Sequence, residues 1–194
     1  MPLTFDDSSH TYTLDGAVLP SVTQVLNDIF YTPGAEWFTE EARLRGSYVH
    51  AAIALDHEGA LDDDTLDPAL APYVAAWRAF KRESDFRPLA WEQAVCDPAR
   101  GYAGTYDVIG QMGDNPLVPP VLIDYKTGTP PPYAALQTGA YARIAKSDRW
   151  PTLRRAELWL RPDGTYRFTL HTDRADERVF LSALEVFSWK KAHS

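Results

Sequence analysis

Leu70, Tyr73, Val74, Trp77 and Phe80 recur at intervals of three and four residues, the spacing that gathers side chains on one face of a helix. They predict an amphipathic helix over 68–83. A looser pattern of Trp37, Ala42, Val49, Ile53 and Ala54 predicts a longer helix over 35–58, bounded by Pro33-Gly34 before it and by Gly59 and the acidic run Asp62-Asp63-Asp64 after it. Val179, Phe180, Leu184 and Phe187 predict a last helix over 174–191. Elsewhere the pattern changes to short runs rich in aromatic and β-branched residues. Residues 89–95, 102–112 and 121–126 read as three strands, the last two joined by a turn over 113–116. The run Pro130-Pro131-Pro132 ends extended pairing and suits the start of a helix over 133–145. Residues 156–160 and 166–171 flank Pro162-Asp163-Gly164 as a hairpin. Near the N-terminus, Asp15-Gly16 between 11–14 and 17–19 is a turn pair for a small hairpin, and Ser21 is placed to cap a short helix that follows it.

The order of helices, three strands, helix, two strands and helix predicts an α/β fold with a central mixed sheet between helices. At 194 residues and 45% hydrophobic content, the chain can bury one sizeable core. We expect a single domain over 1–194: a hairpin and short helix over 1–34, and a core with a helical insertion over 35–194. The net charge of −8 argues against a general basic coat for nucleic acid. A local basic patch remains, with Arg143, Lys146, Arg149, Arg154, Arg155 and Arg161 close together in sequence. Cys96 is the only cysteine, so no intrachain disulfide and no cysteine-built zinc or iron–sulfur site can form. The N-terminal residues lack the basic and apolar regions of a signal peptide, and no apolar run reaches the length of a membrane span. An intracellular (cytoplasmic) setting without membrane contact is the expectation.

The strongest chemical signal is a pair of strands. Residues 104–110 read Gly-Thr-Tyr-Asp-Val-Ile-Gly and residues 121–126 read Val-Leu-Ile-Asp-Tyr-Lys. Side chains alternate along a strand, so Asp124 and Lys126 share a face and Tyr125 takes the other. Two neighbouring strands that deliver Asp107 and Asp124 toward one point, with an ammonium beside them, form a metal site suited to phosphodiester hydrolysis. Gln137 and Tyr141, one turn apart, share a face of the next helix. Upstream, His50 follows Gly46, a residue that would allow close packing, and Glu92 sits mid-strand.

In this order, Gly46 and His50, Glu92, Gly104 to Asp107, Asp124-Tyr125-Lys126, and Gln137 with Tyr141 resemble the PD-(D/E)XK nuclease superfamily, in particular its RecB-like exonuclease branch. The match spans 46–141, about half the chain. The resemblance implies a restriction-endonuclease-like core of helix, three strands, helix and strand, with the hairpin and helical segment as extensions. It implies that Asp107 and Asp124, with His50 and the backbone carbonyl of Tyr125, ligate Mg²⁺ or Mn²⁺. Lys126 would activate water and steady charge at phosphorus. Gln137 and Tyr141 would position the strand or Lys126 itself, and Glu92 would give support or help hold a second metal. His57, seven residues after His50 and on the same helix face, is the alternative ligand. The second acid is Asp where many relatives carry Glu, and the iron–sulfur-bearing subset is excluded by the cysteine count. The implied activity is that of a DNA exonuclease acting on single strands or duplex ends in recombination, repair or phage replication. A structure-specific or restriction-type endonuclease, or an inactive binding module of the same fold, are the alternatives. DNA is the expected partner; a homo-oligomer or a recombination or replication protein stays open.

Overall fold

The computed structural model describes residues 3–6, 9–30 and 39–194, with Ser147 and Asp148 as backbone alone. The expected Pro33-Gly34 break and Trp37 lie outside these residues. A small antiparallel sheet of β1 (Thr4–Asp6), β2 (Thr11–Leu14) and β3 (Ala17–Leu19) comes first. Asp15 and Gly16 connect β2 to β3 with φ of 51° and 82°, the double left-handed conformation of a two-residue hairpin turn. The sheet is tied to the core by the Tyr12 hydroxyl, 2.9 Å from Thr105 Oγ1, and by a bridge between Ser21 and Ala103.

Helix α1 (Val22–Phe30) starts with a reciprocal cap. Ser21 Oγ accepts from the Gln24 amide at 3.0 Å, and Gln24 Oε1 accepts from the Ser21 amide at 2.9 Å. Helix α2 (Glu40–Glu58) starts later than its apolar pattern suggests. Thr39 caps the Ala42 amide, Glu40 and Glu41 complement the helix dipole, and Gly59 closes the other end at φ 68°. Helix α3 (Ala71–Glu83) buries Tyr73, Val74, Trp77 and Phe80, the expected stripe.

The central sheet has the order β4 (Phe86–Asp97), β5 (Tyr102–Met112), β6 (Val121–Lys126), β7 (Arg154–Leu160), β8 (Tyr166–His171). Only β6 and β7 run parallel, and helix α4 (Ala134–Asp148) is the crossover between them. The fold is therefore mixed α/β, as the element order predicts. Helices α1, α4 and α5 (Ala175–Ala192) pack on one face around Tyr102, Ile109, Leu122, Ile144 and Phe180. Helices α2 and α3 cover the other face around Trp77, Phe80, Val108, Ile123, Tyr125 and Leu158. Strand β6, covered on both faces, reads as a continuous apolar run up to its polar end. Val179 departs from expectation: it is 42% exposed, and Ala183 joins Phe180, Leu184 and Phe187 on the buried face of α5. One step of a helix turns about 100°, which carries the residue before Phe180 away from the sheet.

Two residues of the expected basic patch are paired with acids. Arg143 pairs with Asp97 at 3.1 Å and Glu177 at 2.7 Å, and Arg155 pairs with Asp176 at 2.9 Å. Arg154 donates to the Pro119 carbonyl, while Arg149 and Arg161 lie over the rings of Trp150 and Trp159. These arginines fasten α4, β7 and α5 to their surroundings, which proximity in sequence alone does not reveal.

Candidate active site

Strands β5 and β6 pair only from Val108–Ile123 to Gly110–Val121. Beyond Val108 they part, and the fork is closed by a side chain: Asp107 Oδ2 accepts the Tyr125 amide hydrogen at 2.5 Å. The backbone amide thus finds its partner in a carboxylate where the ladder ends. Tyr125 points into the α2–α3 core, while Asp124 and Lys126 point the other way, as strand alternation requires. Lys126 Nζ lies 2.5 Å from Asp124 Oδ2 and donates to Gln137 Oε1 at 2.9 Å. Gln137 Nε2 in turn donates to the Tyr141 hydroxyl at 3.2 Å. Gln137 and Tyr141 therefore face the site together, and they hold the ammonium. Tyr141 is buried at 4% exposure, so its contact is with Gln137 and the core.

The Gly at the start of the β5 motif is explained by the same helix. A Cβ on Gly104 would stand 2.6 Å from Cε1 of Tyr141, closer than packed atoms tolerate. Gly46, expected to permit close packing, is not so constrained: a Cβ there would meet Thr127 Oγ1 at 3.7 Å, an ordinary contact.

Two further elements reach the fork. From α2, His50 Nδ1 lies 3.5 Å from Asp107 Oδ1 and 3.8 Å from Glu92 Oε1, its ring edge-on to Tyr125. From β4, Glu92 reaches the fork from a backbone φ of 46°. A left-handed non-glycine residue costs on the order of 1–2 kcal/mol. The β4–β5 register is the same on either side of Glu92, Trp91–Val108 and Gln93–Tyr106, and a register shift falls upstream between Pro88 and Ala90. Such distortions of an edge strand re-aim a side chain. Ligand atoms of His50, Glu92 and Asp107 all lie within 4.8 Å of one another. Asp124 stands outside that triad, engaged by Lys126. His57, the alternative ligand, is in the core: it packs between Trp77 and Trp91, with Nε2 3.3 Å from the Tyr125 hydroxyl. Burial, followed by Lys81, lowers its pKa to about 4.

Electrostatics set the character of the triad. Burial, then the negative charges of Asp124 and Glu92, push the Asp107 carboxyl up to about 7, against the pull of His50 and Lys126. Burial and Asp124 also raise Glu92. Crowded carboxylates beside an imidazole, short of positive charge, fit a hard or borderline divalent cation. Sequence reasoning passed over Glu157. It pairs with Asp124 across the parallel β6–β7 ladder, is nearly buried, and has His171 Nε2 at 3.8 Å. Burial and Asp124 raise its carboxyl too. A Glu between Ala156 and Leu158 looks like an outward strand position until the parallel register is known.

No family model and no curated protein matches the chain. Among solved structures, a protein from Eubacterium rectale provisionally described as an exonuclease is similar at a TM-score of 0.54, with 11% identity over 87% of this chain and 77% of its own. The two chains share a fold. The alkaline exonuclease LHK-Exo from Laribacter hongkongensis aligns at a TM-score of 0.39, with 16% identity over 89% of this chain and 92% of its own. At 11% identity the likeness to the Eubacterium rectale protein is one of fold alone, and the chemistry must be read from the residues at the fork. No helix among the described residues is long and apolar enough to cross a membrane.

Proposed function

We propose that this chain is a divalent-metal-dependent DNA nuclease, and that it acts as an exonuclease on single strands or duplex ends. The observation that carries the reading is the convergence of His50, Glu92 and Asp107 within 4.8 Å, beside the Lys126 ammonium held by Asp124 and Gln137. The fold shared with a protein described as an exonuclease supports it.

In this reading His50, Glu92 and Asp107 hold Mg²⁺ or Mn²⁺, with Asp124 and the Tyr125 carbonyl completing the protein's share. When bound, the cation supplies a lowered pKa for water and neutralises charge on a phosphoryl oxygen. Lys126 presents a fixed positive charge to the developing negative charge at phosphorus. Its orientation comes from Asp124 on its own strand and from the Gln137–Tyr141 pair on α4. Asp107 both serves the cluster and caps the Tyr125 amide, so the sheet fork and the site share one carboxylate.

The test is digestion of end-labelled linear and covalently closed DNA, single- and double-stranded, with Mg²⁺, Mn²⁺ or EDTA. Metal-dependent loss of linear DNA with survival of closed circles is expected, and Asp107→Ala should abolish it. Comparable cutting of closed circles would make the enzyme an endonuclease. An absence of metal-dependent cleavage on every substrate would end the nuclease reading.

A further inference from the structure

We propose that Arg45 binds a non-bridging oxygen of a phosphate in the substrate strand, at the loop that follows Lys126; this rests on the nuclease reading above. Arg45 lies on α2, the helix that supplies His50, and its Nη2 is 3.9 Å from the position a Cβ on Gly128 would occupy. Gly128 stands two residues after Lys126, so the guanidinium rests against the loop that leaves the catalytic strand. The neighbouring Gly46 faces Thr127 in the same loop. Arg45 therefore sits between the two segments that carry His50 and Lys126.

In this chain of 27 acidic and 19 basic residues several arginines rest on acids, and Arg161, whose Nε is also buried without a partner, lies over the Trp159 ring. Arg43 pairs with Glu40, Arg78 with Asp56 and Asp63, Arg87 with Asp114, Arg143 with Asp97 and Glu177, and Arg155 with Asp176. Arg45 has no ion pair or hydrogen bond among the described residues, and its Nε is buried without a partner. A buried donor left unmade is destabilising, and a half-buried guanidinium without a carboxylate is more so. A partner that arrives with the substrate removes the penalty. The planar fork of donors matches two oxygens of one phosphate. Gly128 adds no side chain to block that approach.

Fluorescence anisotropy of a labelled single-stranded oligonucleotide, titrated with protein in Ca²⁺ over a range of NaCl, tests the proposal. Each phosphate contact on a single strand contributes about 0.7 to the slope of log affinity against log salt. Arg45→Gln is expected to lower that slope by about 0.7 and to weaken binding about tenfold or more. Arg45→Lys should restore the slope without the full affinity, and Arg43→Gln should behave as wild type. Arg45→Gln should unfold at or above the wild-type temperature, because no native partner is lost. A lower unfolding temperature would place Arg45 in the fold and overturn the proposal. A wild-type slope in Arg45→Gln would overturn it while leaving the nuclease reading intact. If the wild-type protein bound no DNA, both would fail.

Discussion

Replacing Asp107 by Asn should stabilise the metal-free protein at alkaline pH. Asp107 is 6% exposed, and burial with two neighbouring carboxylates lifts its carboxyl from 3.8 to about 7. A raised folded-state pKa means that the native state binds the proton more tightly than the unfolded chain. Stability therefore falls as pH rises from about 4 to about 7, and stays low above that. Each tenfold step in proton affinity is worth about 1.36 kcal/mol, so the lift of about three pH units corresponds to about 4 kcal/mol. Asn keeps an oxygen to accept the Tyr125 amide hydrogen but carries no charge. The difference in unfolding free energy between variant and wild type should be small near pH 4. It should grow through neutrality and level off above pH 7. For a chain of this length the plateau amounts to roughly 10 °C in Tm. The assay is thermal unfolding of both proteins in EDTA, from pH 4 to pH 8.5, followed by the same scans with Mn²⁺. With Mn²⁺ the order should reverse, because only the carboxylate offers the cation a charged ligand. A pH-independent difference, or a variant less stable than wild type at pH 8, would refute the electrostatic account of the cluster.

Calorimetric titration of Mn²⁺ should give an affinity that climbs as pH rises through about 7, with release of protons, and that His50→Ala or Asp107→Ala weakens strongly. Lys126→Ala should bind Mn²⁺ and DNA but lose on the order of 10²–10³ in cleavage rate, and it should unfold at lower temperature because Asp124 stays buried without its counter-charge. Gly104→Ala should reduce cleavage, because its methyl displaces the Tyr141 ring and with it the Gln137 contact that steadies Lys126; a wild-type rate would show that Lys126 needs no support from α4. Gln137→Ala should lower the rate with metal affinity unchanged, measured by the same two assays.

The strands over 102–112 and 121–126 were legible to the residue, because β6 is covered on both faces and β5 is walled by Gly, aromatic and β-branched positions. The shared face of Asp124 and Lys126 followed from alternation alone, and the proximity of Gln137 and Tyr141 from helical spacing. Other features depend on tertiary contacts. Glu92 joins His50 and Asp107 through a left-handed backbone position that no residue type signals. Glu157 depends on parallel pairing of strands separated by a whole helix. The role of Gly104 depends on where the Tyr141 ring lies, and the pairing of Arg143 depends on acids distant in sequence, Asp97 and Glu177. Periodicity speaks to neighbours within one element, and it is silent about what faces that element.

The fork between β5 and β6 gathers its chemistry from four elements: His50 from α2, Glu92 from β4, Asp107 from β5, and Asp124 with Lys126 from β6. Helix α4 must then dock before Gln137 can hold the ammonium. Contacts between such distant segments carry a high entropic cost of closure and form late in folding. A chain still being synthesised, or one cut within these elements, has carboxylates and a lysine but no assembled site. On the nuclease reading, the power to cut appears only when the sheet is complete, so incomplete copies present no hazard to the nucleic acid around them.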